Sequence, residues 1–248
     1  MSLATSHRVE TGPAGTWLVV PGFGAPHRFG TRHFTSKGTA AIDGRSVITA
    51  RQVHKDGVLV VDGTRRDRGA LQAEASATDA DALATASPEC WIGVSTADCL
   101  PLLLHDPDRG AVAAVHAGWR GALMGVAPAA LRCLIERFGA RAGRVEAAIG
   151  PHIGACCFEV GRAVLDPLAA GFPGWTRWVD RRAGEKGYFD LRGFVRRQLE
   201  EMGMAPERIH AVDRCTRCEP DLFSSYRRDG RAPRGMLSAI RPADPISG

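Results

Sequence analysis

The sequence contains no apolar run approaching the length of a membrane-spanning helix, which argues against a helical membrane protein. It has no Ser/Gly run, charge block or low-complexity tract, so nothing marks a linker. A chain of 248 residues with these features is expected to fold as one domain over 1–248, with a sizeable core. Its first residues, MSLATSHRVETG, carry no apolar signal core, so cytoplasmic residence is expected. Lysine is scarce, with three among 32 basic residues. The net charge of +5 therefore comes from scattered arginines. The Lys/Arg run with interleaved aromatics that a nucleic-acid-binding face needs is missing. Scattered arginines suit a small anion such as phosphate, or simply a solvated surface. The seven cysteines, at 90, 99, 133, 156, 157, 215 and 218, are odd in number. Together with the missing signal core this favours reduced thiols over a disulfide framework.

What is present is, in bulk, an ordinary globular composition, 44% apolar and 24% charged. The informative stretch is Ser95–Gly121, STADCLPLLLHDPDRGAVAAVHAGWRG. Two apolar runs, Leu100–Leu104 and Ala111–Val115, read as buried strands joined by the turn-rich His105–Gly110. Antiparallel pairing would bring Cys99, just before the first strand, beside His116, just after the second.

Other strands are expected over Trp17–Phe23, Arg28–Arg32, Val47–Val53, Val58–Val61, Trp91–Ser95, Val145–Ile149, Ile209–Val212 and Met236–Ile240. Residues 1–16 read as a ragged lead-in, His33–Gly38 as a polar loop, and 64–90 as a loop with an irregular helix. His54-Lys-Asp-Gly57 reads as a tight turn of the Asp-Gly type, which sets His54 at a strand end. Helices are expected over Ala122–Phe138, with Pro128 marking a kink or a late start, over Ala163–Ala170, and over Leu191–Met202 capped by Asp190. Asp213–Gly230 is a long polar loop. Hairpin-like pairs mix with strand–helix units, which predicts a mixed α/β (α+β) layered domain without strict alternation.

His54, Cys99 and His116 thus fall at strand ends. Two imidazoles and a thiolate are a standard ligand set for a catalytic zinc with water in the fourth position, whose pKa the ion would lower to roughly 7. The competing readings are a Cys99 nucleophile with His116 as base, and a buried thiol beside two ordinary histidines. Asp98, beside Cys99, is a proton-shuttle candidate or a turn-capping residue. Arg120, Arg32 and Arg228 are candidates for an anionic group. Cys215-Thr-Arg-Cys218 is a lone CxxC and reads as a non-ligand in a lid-like loop; Cys156-Cys157 read as pocket wall or core.

The segments Gln52-Val-His54, Thr96-Ala-Asp-Cys-Leu-Pro101, His116-Ala-Gly-Trp-Arg-Gly121, Gly150-Pro-His-Ile-Gly-Ala-Cys-Cys-Phe-Glu-Val160, Cys215-Thr216 and Phe223-Ser-Ser-Tyr-Arg-Arg228 carry a resemblance. Over about residues 17–241 the chain resembles the YfiH/laccase-domain family, whose members go by the names polyphenol oxidase, peptidoglycan editing factor and zinc purine nucleoside phosphorylase. The resemblance implies a layered α/β fold similar to the catalytic domain of cytotoxic necrotizing factor toxins. It implies a zinc at His54, Cys99 and His116, with phosphorolysis of adenosine, inosine, guanosine and methylthioadenosine and deamination of adenosine. Gln52, His152, Arg32, Arg120 and Arg228 then become candidates for binding nucleoside and phosphate. The family often carries Cys where this chain has His152. The expected partners are small molecules, with no nucleic acid or membrane, in a monomer or weak homo-oligomer.

Two other activities compete. A cysteine-type amidase editing peptidoglycan precursors would use Cys99 as nucleophile and His116 as base. A copper-dependent polyphenol oxidase would need His-x-His pairs for a trinuclear centre, and none occurs among the eight histidines. A single copper in the His2Cys set remains the copper alternative to zinc. A non-enzymatic binding module is the third class.

Overall fold

The computed structural model describes residues 7–35, 41–64, 67–181, 185–230 and 235–244. Within the expected lead-in, β1 (Arg8–Gly12) pairs with β2 (Gly15–Val19) as a hairpin, followed by β3 (His27–Gly30). Residues 36–38 of the expected polar loop lie outside the described residues. A second hairpin, β4 (Ala41–Ile42) and β5 (Arg45–Ile48), turns at Asp43-Gly44, both at positive φ. Then come β6 (Val58–Val60), α1 (Arg68–Ala77), β7 (Ala82–Thr85), β8 (Trp91–Thr96), β9 (Leu100–Asp106) and β10 (Ala111–Ala117). The second half holds α2 (Trp119–Met124), α3 (Val126–Phe138), β11 (Glu146–Ile149), β12 (Glu159–Val160), α4 (Arg162–Gly171), β13 (Val179–Asp180), β14 (Gly187–Phe189), α5 (Leu191–Glu201), β15 (Ile209–Ala211), α6 (Tyr226–Asp229) and β16 (Met236–Ile240).

Among the described residues the strands form a seven-stranded sheet in the order β1-β2-β3-β16-β8-β5-β4, a six-stranded sheet β15-β11-β9-β10-β7-β6, and a three-stranded sheet β12-β14-β13. The first two pack face to face, with α3, α4 and α5 on the far side of the six-stranded sheet. Side chains of β9 and β10 alternate accordingly. Leu103, Val112 and Ala114 pack with Leu18, Phe29, Ile92 and Ile240 of the other sheet. Leu102, Leu104, Ala113 and Val115 pack with Leu131, Leu134, Phe194 and Leu199 of the helices. Every residue of both strands is buried. This is why they read as continuous apolar runs rather than an alternation.

The hairpin expected from the sequence is present, with Ala111 opposite Asp106 and His116 opposite Pro101. Three expectations are corrected. First, β5 and β6 do not form a hairpin. The former pairs with β8 and the latter with β7, in different sheets, so His54–Gly57 lies in a crossover. Second, residues 64–90 contain a capped helix and a strand: Asp67 accepts from Ala70 N–H to start α1, and β7 is an inner strand. Third, the expected Ala122–Phe138 helix is two helices, broken at Gly125 with φ 88°. Pro128 falls in the first turn of α3, where a missing N–H costs no intrahelical bond. Asp190 caps α5 as expected, accepting from Gly193 N–H at 2.9 Å. Among the described residues no helix is long and apolar enough to cross a membrane.

Candidate metal centre and its cavity

Two chain segments leave the seven-stranded sheet for the six-stranded one, β5 to β6 and β8 to β9, and they run side by side. The first carries His54 and the second carries Asp98 and Cys99; His116 meets them from the end of β10. His54 and Asp98 are, with Asp43, the described non-glycine residues at positive φ, 61° and 84°. Backbone of this kind is held against its own preference by surrounding contacts and is common at functional sites.

His54 Nε2 stands 4.0 Å from Cys99 Sγ, and the His54 and His116 rings are 4.8 Å apart, nearly perpendicular. One donor atom from each of the three residues lies within 4.8 Å of the others. A tetrahedral zinc with bonds of about 2.1 Å to nitrogen and 2.3 Å to sulfur sets N···S near 3.6 Å, so the His54–Cys99 pair stands a few tenths of an ångström wider than the ion needs. Gly118 leaves this space open: a Cβ there would lie 3.0 Å from both Cys99 Sγ and His54 Cδ2.

The residue that organises the set is Asp81, which the sequence reading missed. It is fully buried. Its Oδ1 accepts from His116 Nδ1 at 2.7 Å and His54 N at 2.9 Å; its Oδ2 accepts from Val53 N at 3.1 Å and Lys55 N at 2.8 Å. One carboxylate thus holds the His54 crossover and leaves His116 Nε2 for a metal, the outer partner that metal-binding histidines typically have. Its only trace in the sequence is the Asp79-Ala-Asp81 pair before β7.

The electrostatics match a ligand set. Burial alone would raise the Cys99 thiol, but the His116 charge and hydrogen bonds with His116 and His54 prevail and bring its pKa down to about 6. Burial also opposes a charged His116, yet the Cys99 thiolate and the Asp81 carboxylate push it up to about 9. Without metal, the pair is a thiolate and an imidazolium at neutral pH. Burial works against the Asp81 carboxylate too, but His116 and the Lys55 and Val53 amides hold it below the usual range.

The three donors open into a cavity of about 580 Å³, within the range of small-molecule sites. Trp119, Phe158, Tyr226, Ile153 and Leu191 give it apolar walls; Arg120 and Arg227 bring positive charge. The Arg120 guanidinium lies 4.3 Å from the Trp119 ring centre, and that of Arg227 5.6 Å from Phe158.

Of the residues singled out in the sequence, His54, Cys99, His116, Asp98, Gln52 and Arg120 line this cavity. Gln52 spends its amide on the Ser95 backbone, accepting from N–H at 2.7 Å and donating to the carbonyl at 2.8 Å. Asp98 is buried, and its oxygens accept from Thr216 Oγ1 (2.5 Å), Ser225 Oγ (3.0 Å) and Arg227 N (2.6 Å). It latches the loop after β15 while lining the cavity. Arg32, Arg228 and His152 are not among the lining residues. Arg32 donates to Pro220 O, and Arg228 to Asp229, Thr216 O, Arg217 O and Phe223 O within its own loop. His152 is buried with Nδ1 2.9 Å from Gly150 O. Arg227, next to Arg228 in the sequence, lines the cavity instead. Cys156, expected in wall or core, is exposed, and it meets Cys157, Cys215 and Cys218 in a second sulfur-rich cluster.

Fold and site together define a layered α/β protein with a His2Cys donor set at a small-molecule cavity. The chain belongs to the family described as multi-copper polyphenol oxidoreductase laccase, matched over residues 32–241. It is 37% identical over 199 residues to a purine nucleoside phosphorylase of Mycobacterium tuberculosis, covering 80% of this chain and 73% of the relative. It is also 37% identical over 190 residues to adenosine deaminase RL5 of an unknown prokaryotic organism, covering 76% and 72%. Among solved structures, YlmD from Geobacillus stearothermophilus superposes with a TM-score of 0.81 at 27% identity, covering 95% of this chain and 99% of that one.

Proposed function

We propose that the chain is a zinc-dependent purine nucleoside enzyme, cleaving adenosine, inosine, guanosine and methylthioadenosine with phosphate and deaminating adenosine. The observation that carries this reading is the His54–Cys99–His116 donor set, oriented by Asp81 and facing a cavity with aromatic walls and two arginines. The names of the relatives support the same substrate class.

His54, Cys99 and His116 would hold the ion. Bound zinc supplies a Lewis acid that polarises phosphate oxygens and lowers the pKa of water. The protein supplies the rest. Trp119, Phe158 and Tyr226 offer ring faces for a purine. Arg120 and Arg227 neutralise phosphate, the role expected in the sequence for Arg32, Arg120 and Arg228. Asp81 fixes the His116 tautomer. Asp98 holds the loop that carries Arg227.

The test is release of free base from inosine or adenosine that requires phosphate, with ammonia from adenosine measured in parallel. Cys99→Ser and His116→Ala should abolish both. Absence of base and ammonia from every purine nucleoside would overturn the proposal. Metal analysis of protein made without added copper separates zinc from copper.

One observation favours a second reading. Asp81, His116 and a Cys99 thiolate follow each other in the order of a cysteine-hydrolase triad, which fits an amidase acting on peptidoglycan precursors. Ready alkylation of Cys99 by iodoacetamide in zinc-replete protein would favour it, because a ligated thiolate is shielded.

A further inference from the structure

One cluster is left unused by the nucleoside reading. Cys156 and Cys157, in the turn after β11, face Cys215 and Cys218, in the loop after β15, and the four sulfurs lie within 4.8 Å of one another. Cys218 Sγ is 3.3 Å from Cys157 Sγ and 3.8 Å from Cys156 Sγ. Those distances are far beyond a disulfide bond of about 2.05 Å. They are close to the roughly 3.8 Å edge of a tetrahedron built on metal–sulfur bonds of about 2.3 Å. We propose that Cys156, Cys157, Cys215 and Cys218 form a second, structural metal site that holds one zinc ion in a closed shell of four thiolates.

Hydrophobic packing does not account for the convergence, because Cys156 and Cys218 are exposed and gain little from burial. The surroundings are those of ligated sulfur. Gly154 N–H donates to Cys215 Sγ at 3.3 Å. Cys218 N–H donates to Cys215 O at 3.2 Å, which closes the CxxC into a turn with both sulfurs at the cluster. The Arg217 guanidinium interacts with Cys157, placing a positive charge beside a shell that would carry excess negative charge. Four thiolates converging on one point suit zinc, which takes them tetrahedrally, far better than magnesium, calcium or manganese. The CxxC that reads as a non-ligand when alone finds its second pair in Cys156-Cys157.

The site would also shape the cavity without touching substrate. One of its loops carries Ile153 and Phe158 of the wall, and the other carries Thr216, Ser225 and Arg227, which grip Asp98. An ion between the loops fixes them to each other some sixty residues apart in sequence.

The experiment is zinc stoichiometry on the full chain, with cobalt substitution as a second readout. Wild-type protein should carry two zinc ions, and Cys99→Ser, which disables the His2Cys set, should keep one. Cobalt-loaded C99S should show intense sulfur-to-cobalt charge transfer with the strong visible bands of a tetrahedral four-sulfur site. Cys218→Ser and the gentler exposed change Cys156→Ser should each lose one equivalent and unfold at lower temperature. If both serine variants fail to fold, the wild-type and C99S measurements decide alone. One zinc in wild type with none in C99S would overturn the proposal, as would a disulfide among these cysteines in anaerobically purified protein. Neither depends on whether nucleosides are substrates.

Discussion

Asp81→Asn is the sharpest test of how the His2Cys set is built. The change preserves shape but leaves one oxygen where there were two. In the structure Oδ1 serves His116 Nδ1 and His54 N, while Oδ2 serves Val53 N and Lys55 N. In either orientation the new NH2 group faces two N–H donors. Turned toward Val53 and Lys55, it strands two backbone amides in the crossover. Turned toward His116, it drives the ring proton from Nδ1 to Nε2, the nitrogen a metal needs, and still strands His54 N–H. Each buried donor left unpaired costs about 1–3 kcal/mol, so the metal-free protein should lose about 1–6 kcal/mol of stability, the larger loss if the amide turns toward Val53 and Lys55. Loss of the outer partner of a metal-binding histidine typically costs about 10–100-fold in affinity. Zinc competition against a chromophoric chelator measures the second effect, and urea unfolding of the metal-free protein the first. A D81N protein with unchanged zinc affinity at the His2Cys set, and stability within about 0.5 kcal/mol of wild type, would refute the role given to Asp81.

Four further outcomes are expected. Gly118→Ala fits the extended backbone there, φ −68° and ψ 162°, but places a methyl against Cys99 and His54; zinc affinity at that set should fall about tenfold or more with circular dichroism unchanged. In metal-free protein, Cys99 should alkylate faster as pH rises through about 6, because the depressed pKa exposes thiolate above that value, whereas an unperturbed cysteine turns on near about 8.5; site-resolved mass spectrometry showing a midpoint above about 8 would count against the ion pair. Asp98→Asn should cost about 1–3 kcal/mol and raise KM more than it lowers kcat, and Asp98→Ala should add about 1–2 kcal/mol for a left-handed residue without a compensating side chain, both read by urea unfolding and steady-state kinetics. Leu103→Ala, between the two large sheets, should cost about 2–5 kcal/mol in urea unfolding without changing zinc stoichiometry.

The β9–β10 pair was readable because burial on both faces makes a continuous apolar run, and a turn sequence between two such runs leaves little choice of pairing. That pairing is enough to bring Cys99 to His116. His54 is not at a strand end but in the crossover between Ile48 and Val58: Asp56-Gly57 looks like a hairpin turn, and only the packing of two sheets shows that its flanking strands part company. β7 was hidden because Ala82-Leu-Ala-Thr85 has a weak strand signature and takes its form from neighbours on both sides. Asp81 was hidden for the same reason, since its four partners come from segments 26 to 35 residues away. The preference for Arg228 over Arg227 turned on which face of the four-residue α6 meets the cavity. The four-cysteine cluster could not be paired from the sequence, because two loops about sixty residues apart must first be folded together.

His54 and Cys99 stand in two crossovers, at the seam where one sheet hands the chain to the other. A donor set placed on a seam reports on the fit between the sheets: a sideways slip of less than an ångström changes every distance that a metal would feel. Repacking deep between the layers, at Phe29, Leu103 or Ile240, should therefore retune metal affinity through residues that never approach the ion.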